Sequence, residues 1–253
     1  MSLTEHIELE ELQSRLHRAR RLVVLTGAGM SAESGIPTFR DAMTGLWSRV
    51  DPAALASEEG FRADTARVWA WYAERREGVR QAEPNAGHRA LADYARRHPG
   101  RLTVITQNVD DLHQRAGHTD TIRLHGDILA DQWLDPCPRR GGPPCDTDWA
   151  RPGQPPHCNE CGNLVRPAVV WFGENLPLAA LNAAEAAADA AELMLVVGTS
   201  GAVWPAAGLA ARARRAGAWV AIVNPHPSEI DGDADQIVRG TAAGVLPVLL
   251  AAG

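Results

Sequence analysis

Five short clusters in this chain carry residue types and spacings that could do chemistry. The only four cysteines, Cys137, Cys145, Cys158 and Cys161, fall within one short stretch of 253 residues. Gly27-Ala28-Gly29-Met-Ser31-Ala32 has the spacing G-x-G-x-x-G/A, in which glycines allow a tight turn and let backbone N–H groups approach a pyrophosphate. Gln107-Asn108-Val109-Asp110 gathers amide and carboxylate side chains suited to ribose hydroxyls and an ordered water. His125 precedes Gly126; imidazole accepts a proton near neutral pH without a large pKa shift, and the glycine is expected to leave room for a substrate. Tyr72 and Arg75 are spaced Y-x-x-R, so on a helix a phenol and a guanidinium share one face, where the guanidinium offers a bidentate partner for a carboxylate.

Each cluster also has a purely structural reading. The glycine loop could be a plain turn. Asn108 or Asp110 could cap a helix over Asp111 to Ala116. His125 could be a satisfied core histidine, and Arg75 could pair with Glu74 or Glu77 on a solvated helix face. The cysteines are compatible with a redox pair, disulfides or a metal site.

The elements that must position these residues follow from the apolar pattern. Leu22 to Leu25, Leu102 to Ile105, Leu193 to Val197 and Trp219 to Val223 are short, largely β-branched runs that read as buried strands. Ile122 to Leu124 reads as another, delivering His125 at its end. Helix-like stretches at 86–97, 178–191 and 205–216 lie between them, and residues 3–21 form an amphipathic helix with acidic residues leading and arginines trailing. This alternation predicts an α/β fold, a doubly wound parallel sheet with helices on both faces. The glycine loop and the Gln107–Asp110 segment then fall at strand carboxyl ends, where such sheets bind ligands. Glu33-Ser-Gly-Ile-Pro37 breaks the helix that normally follows a dinucleotide loop, so a loop is expected there.

Two stretches interrupt the alternation. Residues 38–84 contain tryptophans and no clear strand, which suggests a helical module. Residues 128–164 hold the cysteines and, between Asp135 and Pro156, seven of the 17 prolines, so no regular sheet element is expected there. The division is therefore a larger domain of 1–37, 85–127 and 165–253 and a smaller one of 38–84 and 128–164. With 25 basic and 31 acidic residues the net charge is −6, and lysine is scarce, which argues against a nucleic-acid partner. No apolar run approaches the ~20 residues of a membrane span. The acidic N-terminus resembles neither a signal nor a transit peptide, so a cytoplasmic location is expected.

Taken together, Gly27 to Arg40, Thr106 to Gly117, Leu124-His-Gly126, the four cysteines and Gly198-Thr-Ser200 resemble the sirtuin family of NAD-dependent protein deacylases, in the family's order along the chain. The resemblance implies a Rossmann-like fold and a reaction in which the acyl-lysine oxygen attacks the nicotinamide ribose of NAD, giving nicotinamide, free lysine and O-acyl-ADP-ribose. It assigns His125 as the base and Asn108 and Asp110 to the water and the nicotinamide end. Gly27, Ala28, Gly29, Ser31, Phe39, Arg40, Gln107, Val109, Gly198, Thr199, Ser200, Asn224 and Ala242 become further cofactor contacts. Cys137, Cys145, Cys158 and Cys161 become ligands of one structural Zn2+, although the seven residues between Cys137 and Cys145 exceed the usual knuckle, and His157 is an alternative ligand. Val170, Trp171, Phe172, Gly173 and Glu174 resemble the strand that pairs with an acyl-lysine peptide or protein by β-augmentation. Tyr72 and Arg75 resemble the desuccinylase and demalonylase signature, which implies succinyl and malonyl substrates with acetyl also accepted. ADP-ribosyl transfer, deacetylation without acidic preference, and a non-catalytic NAD or ADP-ribose binding module are the competing functions.

Overall fold

The computed structural model describes residues 3–37, 52–136, 147–148 and 155–251. Phe39, Arg40, Cys137 and Cys145 lie outside these residues, as does most of the Pro-rich stretch.

Six strands form one parallel sheet: β1 (Leu22–Thr26), β2 (Leu102–Thr106), β3 (Ile122–Arg123), and further along the chain Leu193–Val197, Trp219–Val223 and Gln236–Val238. Between these two sets lie β4 (Gly126–Trp133), β5 (Thr147–Asp148), β6 (His157–Cys158) and β7 (Val165–Val169), so the last three sheet strands are β8, β9 and β10. The spatial order β10-β9-β8-β1-β2-β3 makes β1 and β8 the central pair from which the connections run outward in both directions. That is the Rossmann-like switch point, and the expected α/β fold is found. All five side chains of both β1 and β8 are buried, as two-sided coverage requires. On one face lies a core containing Leu12 and Leu16 of α1 (Leu3–Arg18) and Leu246 and Leu249 of the C-terminal helix Ala242–Ala251. On the other face Ala184 and Ala188 of Leu178–Ala190 and Leu209 and Ala213 of Gly208–Arg215 pack against Val23, Leu25 and Val196.

A third core stands apart. The helices Pro52–Leu55, Glu58–Ala63 and Thr65–Gln81 supply Leu55, Phe61, Val68, Trp71, Tyr72 and Val79, and these pack on Ile128, Val169 and Trp171. The helical character expected for residues 38–84 holds across the described part. The expectation that 128–164 lacks regular strands does not. Strand β4 begins at Gly126 and pairs antiparallel with β7, and the two-residue strands β5 and β6 pair with each other. The Asp-Pro and Pro-rich composition that discourages strands begins only after Trp133, so Gly126 to Trp133 remains free to pair. Arg76 joins this hairpin to the helical module, donating to Ile128 O at 2.6 Å and pairing with Asp131 at 2.5 Å.

Candidate active site

Five segments that could do chemistry meet at the carboxyl edge of the sheet. Gly27 follows β1, Gln107 follows β2, His125 lies two residues beyond β3, Gly198 follows β8 and Asn224 follows β9. Backbone bonds continue the ladder past the strand ends: Gly27 N donates to Val197 O at 3.0 Å, Gln107 N to Thr26 O at 2.9 Å and Gly198 N to Val223 O at 3.0 Å.

The two glycine loops are pressed together. A Cβ on Gly27 would lie 2.7 Å from Thr199 Cβ, and one on Gly29 would lie 2.8 Å from Gly198 Cα. Gly198 has φ +63, and a Cβ there would stand 2.5 Å from Met30 N. Glycine is thus required at this junction for close backbone approach, and at Gly198 for its left-handed conformation as well. As expected, only one helical turn follows the loop, Gly29–Ala32. Asn85, at the start of the helix Ala86–Arg97, steadies that turn by donating to Met30 O at 2.8 Å and Ser34 Oγ at 3.0 Å.

A polar chain runs behind the loop. Asn108 Nδ2 donates to Ser31 Oγ at 3.1 Å, and Ser31 Oγ donates to Asp110 Oδ2 at 2.9 Å. The other Asp110 oxygen accepts from Leu112 N at 3.1 Å, starting the helix Leu112–Arg115. Asp110 thus bonds ahead of the helix with one oxygen and to Ser31 with the other, while the residue at the helix cap is Asp111, which makes no side-chain capping bond. Burial raises the Asp110 pKa, opposed by the Leu112 N–H and the Ser31 hydroxyl. With its NH₂ committed to Ser31, the Asn108 carbonyl oxygen is left to accept. Gln107 Nε2 donates to Thr199 Oγ1 at 3.2 Å, and Asn224 Nδ2 to Thr199 O at 2.9 Å, so three strand ends are tied laterally.

His125 is half-buried, with Nδ1 2.9 Å from Gln107 O. A carbonyl can only accept, so Nδ1 carries the hydrogen and Nε2 presents a lone pair. Burial lowers the His125 pKa, only partly offset by that carbonyl, and the neutral basic form dominates at neutral pH. Gly126 has a different role from the one expected. Its φ is +83, and a Cβ would lie 2.1 Å from Ala168 O, so glycine is needed where β4 meets β7.

The sequence model of the Sir2 family matches residues 27–205. The chain belongs to that family. Among its curated relatives, the NAD-dependent protein deacylase of Ralstonia nicotianae is 51% identical over 236 residues, covering 93% of each chain. A solved Sir2 homologue in complex with NAD superposes with a TM-score of 0.83 at 39% identity, over 96% of this chain and 92% of that one. Sir2Tm bound to a propionylated peptide gives 0.78 at 30% identity, over 96% and 98%.

The remaining sirtuin-type residues fall as follows. Ala28 and Ser200 are exposed. Val109 is half-buried, its carbonyl accepting from Arg123 Nη2 at 3.0 Å and Ile128 N at 2.9 Å. Ala242 is buried, and a Cβ on Gly87 would lie 3.0 Å from its carbonyl oxygen. The segment expected as the peptide-pairing strand, Val170 to Glu174, lies beyond the end of β7 at Val169. Beyond it Val170 N donates to His125 O at 2.9 Å and Phe172 N to Ala56 O at 2.8 Å, while the Phe172 side chain is exposed. Trp171 N donates to Glu174 Oε2 at 2.8 Å, and Gly173 is exposed with φ +87.

Tyr72 and Arg75 both lie on Thr65–Gln81. Tyr72 is buried, and its hydroxyl oxygen accepts from Trp171 Nε1 at 2.9 Å. The Arg75 guanidinium carbon sits 4.6 Å from the Trp71 ring centroid and 5.7 Å from that of Tyr72. No salt bridge to Arg75 occurs among the described residues, so pairing with Glu74 or Glu77 is not seen. Desolvation lowers the Arg75 pKa, opposed by Tyr72 and Asp110. Cys158 and Cys161 form a tight turn in which Gly162 N donates to Cys158 O at 2.9 Å and Cys158 N to Asn163 O at 2.8 Å. Thr147, two residues after Cys145, pairs with Cys158. His157 is half-buried opposite Asp148.

Sequence reasoning missed Asn85, Thr26, Thr106 and His113. Thr26 Oγ1 meets Thr106 Oγ1 at 2.8 Å and His113 Nε2 at 3.1 Å, and Thr106 Oγ1 accepts from Asn108 N at 3.0 Å. For Asn85 a signal existed: Asn85 and His88 have the spacing of a capping box, and both capping bonds form.

Proposed function

We propose that this Sir2-family enzyme is an NAD-dependent protein deacylase with a preference for acyl-lysines that carry a terminal carboxylate, succinyl and malonyl, over acetyl. The deacylase activity follows from family membership and from relatives of that name covering nearly the whole chain. The observation that carries the finer reading is Arg75: a desolvated guanidinium beside the Tyr72 phenol with no carboxylate bonded to it among the described residues. A half-buried, desolvated cation of this kind is stabilised by an anionic group from a ligand, and arginine provides the fork geometry.

The residues present fit NAD: the glycine loops stand at the switch point, where sheets of this kind bind nucleotides, and the polar side chains of Gln107, Asn108 and Asp110 follow β2 at the same edge. NAD supplies the anomeric carbon to which the acyl oxygen is transferred. In this reading His125 Nε2 removes a ribose hydroxyl proton, Asn108 orders the water with its free carbonyl oxygen, and Asp110 faces the nicotinamide end, held by Ser31 and Leu112 N. The peptide is bound along Val170 to Glu174 through backbone carbonyl groups, since the N–H groups of Val170, Trp171, Phe172 and Glu174 are bonded within the protein. Cys137, Cys145, Cys158 and Cys161 hold a zinc ion in this reading, of which Cys158 and Cys161 lie among the described residues, in one tight turn. Zinc here is structural, holding the β5–β6 segment. Metal analysis is expected to give one zinc per chain, and its loss to a chelator is expected to lower Tm.

The deciding experiment compares kcat/KM on matched succinyl and acetyl peptides for the wild type and Arg75→Met, with the nucleotide product analysed by mass spectrometry. The wild type is expected to favour the succinyl peptide and to release O-succinyl-ADP-ribose, and Arg75→Met to lose the preference. Equal rates on the two peptides, unchanged by the substitution, would exclude an acidic-acyl preference. ADP-ribosylated protein as the main product would favour transferase activity.

A further inference from the structure

We infer that Trp171 determines acyl specificity through its side chain: its indole N–H turns the Tyr72 hydroxyl so that the phenolic hydrogen is offered to the carboxylate of the acyl group. The inference rests on the acidic-acyl reading above and assigns its second hydrogen-bond donor.

A phenol hydroxyl has two in-plane orientations and is both donor and acceptor. The Trp171 indole can only donate, and its Nε1 lies 2.9 Å from Tyr72 Oη. The Tyr72 hydrogen is therefore excluded from the side facing Trp171. A hydroxyl that accepts one hydrogen bond also becomes a stronger donor in the next. Burial raises the Tyr72 pKa, so the hydrogen is retained throughout the neutral range.

The indole itself is held firmly. Trp171 is 2% exposed, its ring lies 3.4 Å from the Arg166 guanidinium carbon, and Phe61 packs at 5.2 Å between ring centroids. Arg166 is 3% exposed and pairs through both terminal nitrogens with Glu174, whose Oε2 also accepts the Trp171 backbone N–H. Arg166 Nη2 further donates to Val169 O at 2.6 Å. These bonds fix both the ring plane and the backbone of Trp171, leaving one direction for its N–H. The same residue thus has its backbone in the proposed peptide-binding segment and its side chain behind the acyl pocket.

The test is a double-mutant cycle on the succinyl-to-acetyl ratio of kcat/KM, using the wild type, Trp171→Phe, Tyr72→Phe and the double variant. Tyr72→Phe removes the donor to the carboxylate and is expected to lower the ratio about tenfold; Trp171→Phe removes the bond that orients that donor and is expected to lower it by up to the same factor, and the double variant to fall no lower than Tyr72→Phe alone. Replacing Trp171 with benzothienylalanine, which keeps the shape and lacks the N–H, is expected to match Trp171→Phe and carries the test if the smaller ring destabilises the protein. Equal loss on both peptides with the ratio unchanged, or a further fall in the Tyr72→Phe background, would overturn the proposal. A wild type without succinyl preference overturns this inference and the acidic-acyl reading together. Preference abolished by Arg75→Met but kept in both Trp171 variants overturns this inference alone.

Discussion

At the switch point the closest contacts are between backbones, in loops at the ends of β1 and β8 so near each other that a methyl group would not fit between them. Around Tyr72 the contacts are between side chains, from a helix and from Trp171, 99 positions later. A backbone cradle needs a run of particular residues, because successive φ and ψ values must cooperate. A side-chain pocket needs only that a few positions converge, and the residues between them can vary. The first kind of site leaves a contiguous signature in sequence, and the second does not.

Predictions can test whether the two regions are as separable as this contrast holds. His125→Ala is expected to lower kcat by ~10²–10⁴-fold on every acyl peptide, as loss of a general base does, with NAD binding retained by calorimetry. Measurable turnover near wild type would remove His125 from its role.

Acid should act first on the switch-point side. His88 is fully buried with its pKa lowered to about 4 by desolvation, against 6.5 when exposed. The unfolded state therefore binds the extra proton. Stability is complete above pH 6.5 and is lost as pH falls toward 4, by about 3 kcal/mol for this group. His113, buried at 4.8 Å between ring centroids from His88, is shifted in the same direction. Denaturant titrations across that range should show the loss, and His88→Gln should flatten it.

Arg75→Met is expected to reduce the succinyl-to-acetyl ratio by about 10–100-fold, the range for a charge-assisted hydrogen bond, with little change in KM for NAD. A large rise in KM for NAD would show that the two regions are coupled. Gly27→Ala is expected to do the converse. Its Cβ would overlap Thr199 and the Gly198 carbonyl, costing about 1–3 kcal/mol in overpacking, lowering Tm and raising KM for NAD. The acyl ratio should stay as in the wild type, and a changed ratio would break the contrast.

The same contrast explains what could be read in the sequence. Five of the six strands of the parallel sheet, the break in the helix after the glycine loop and the grouping at the sheet edge were legible because each depends on local pattern and on one topological rule; β10 was not. Asp110 was read as a helix cap or a site residue; in the structure the cap position falls to Asp111, and the Asp110 oxygens take Ser31 and Leu112 N. Gly126 was noticed for its place beside His125, and its contact with Ala168 O had no signal because it depends on a pairing partner some 40 residues away. Strand β4 was hidden by the proline-rich stretch that follows it. The bond between Trp171 and Tyr72 and the clamp of Arg166 and Glu174 had no signal at all, since neither spacing nor propensity relates these positions.

The ion pairs that hold the molecule, Arg76 with Asp131, Arg123 with Asp127, Arg166 with Glu174, all use guanidinium groups. The 253 residues contain 25 arginines and not one lysine. An enzyme that strips acyl groups from ε-amines thus has no ε-amine of its own. Acyl donors reactive enough to modify lysines on neighbouring proteins leave its side-chain charges and buried pairs unaltered, so its folded state is independent of the modification level it acts upon. It cannot be switched by acylation of its own lysines, nor reactivate itself by removing such a mark.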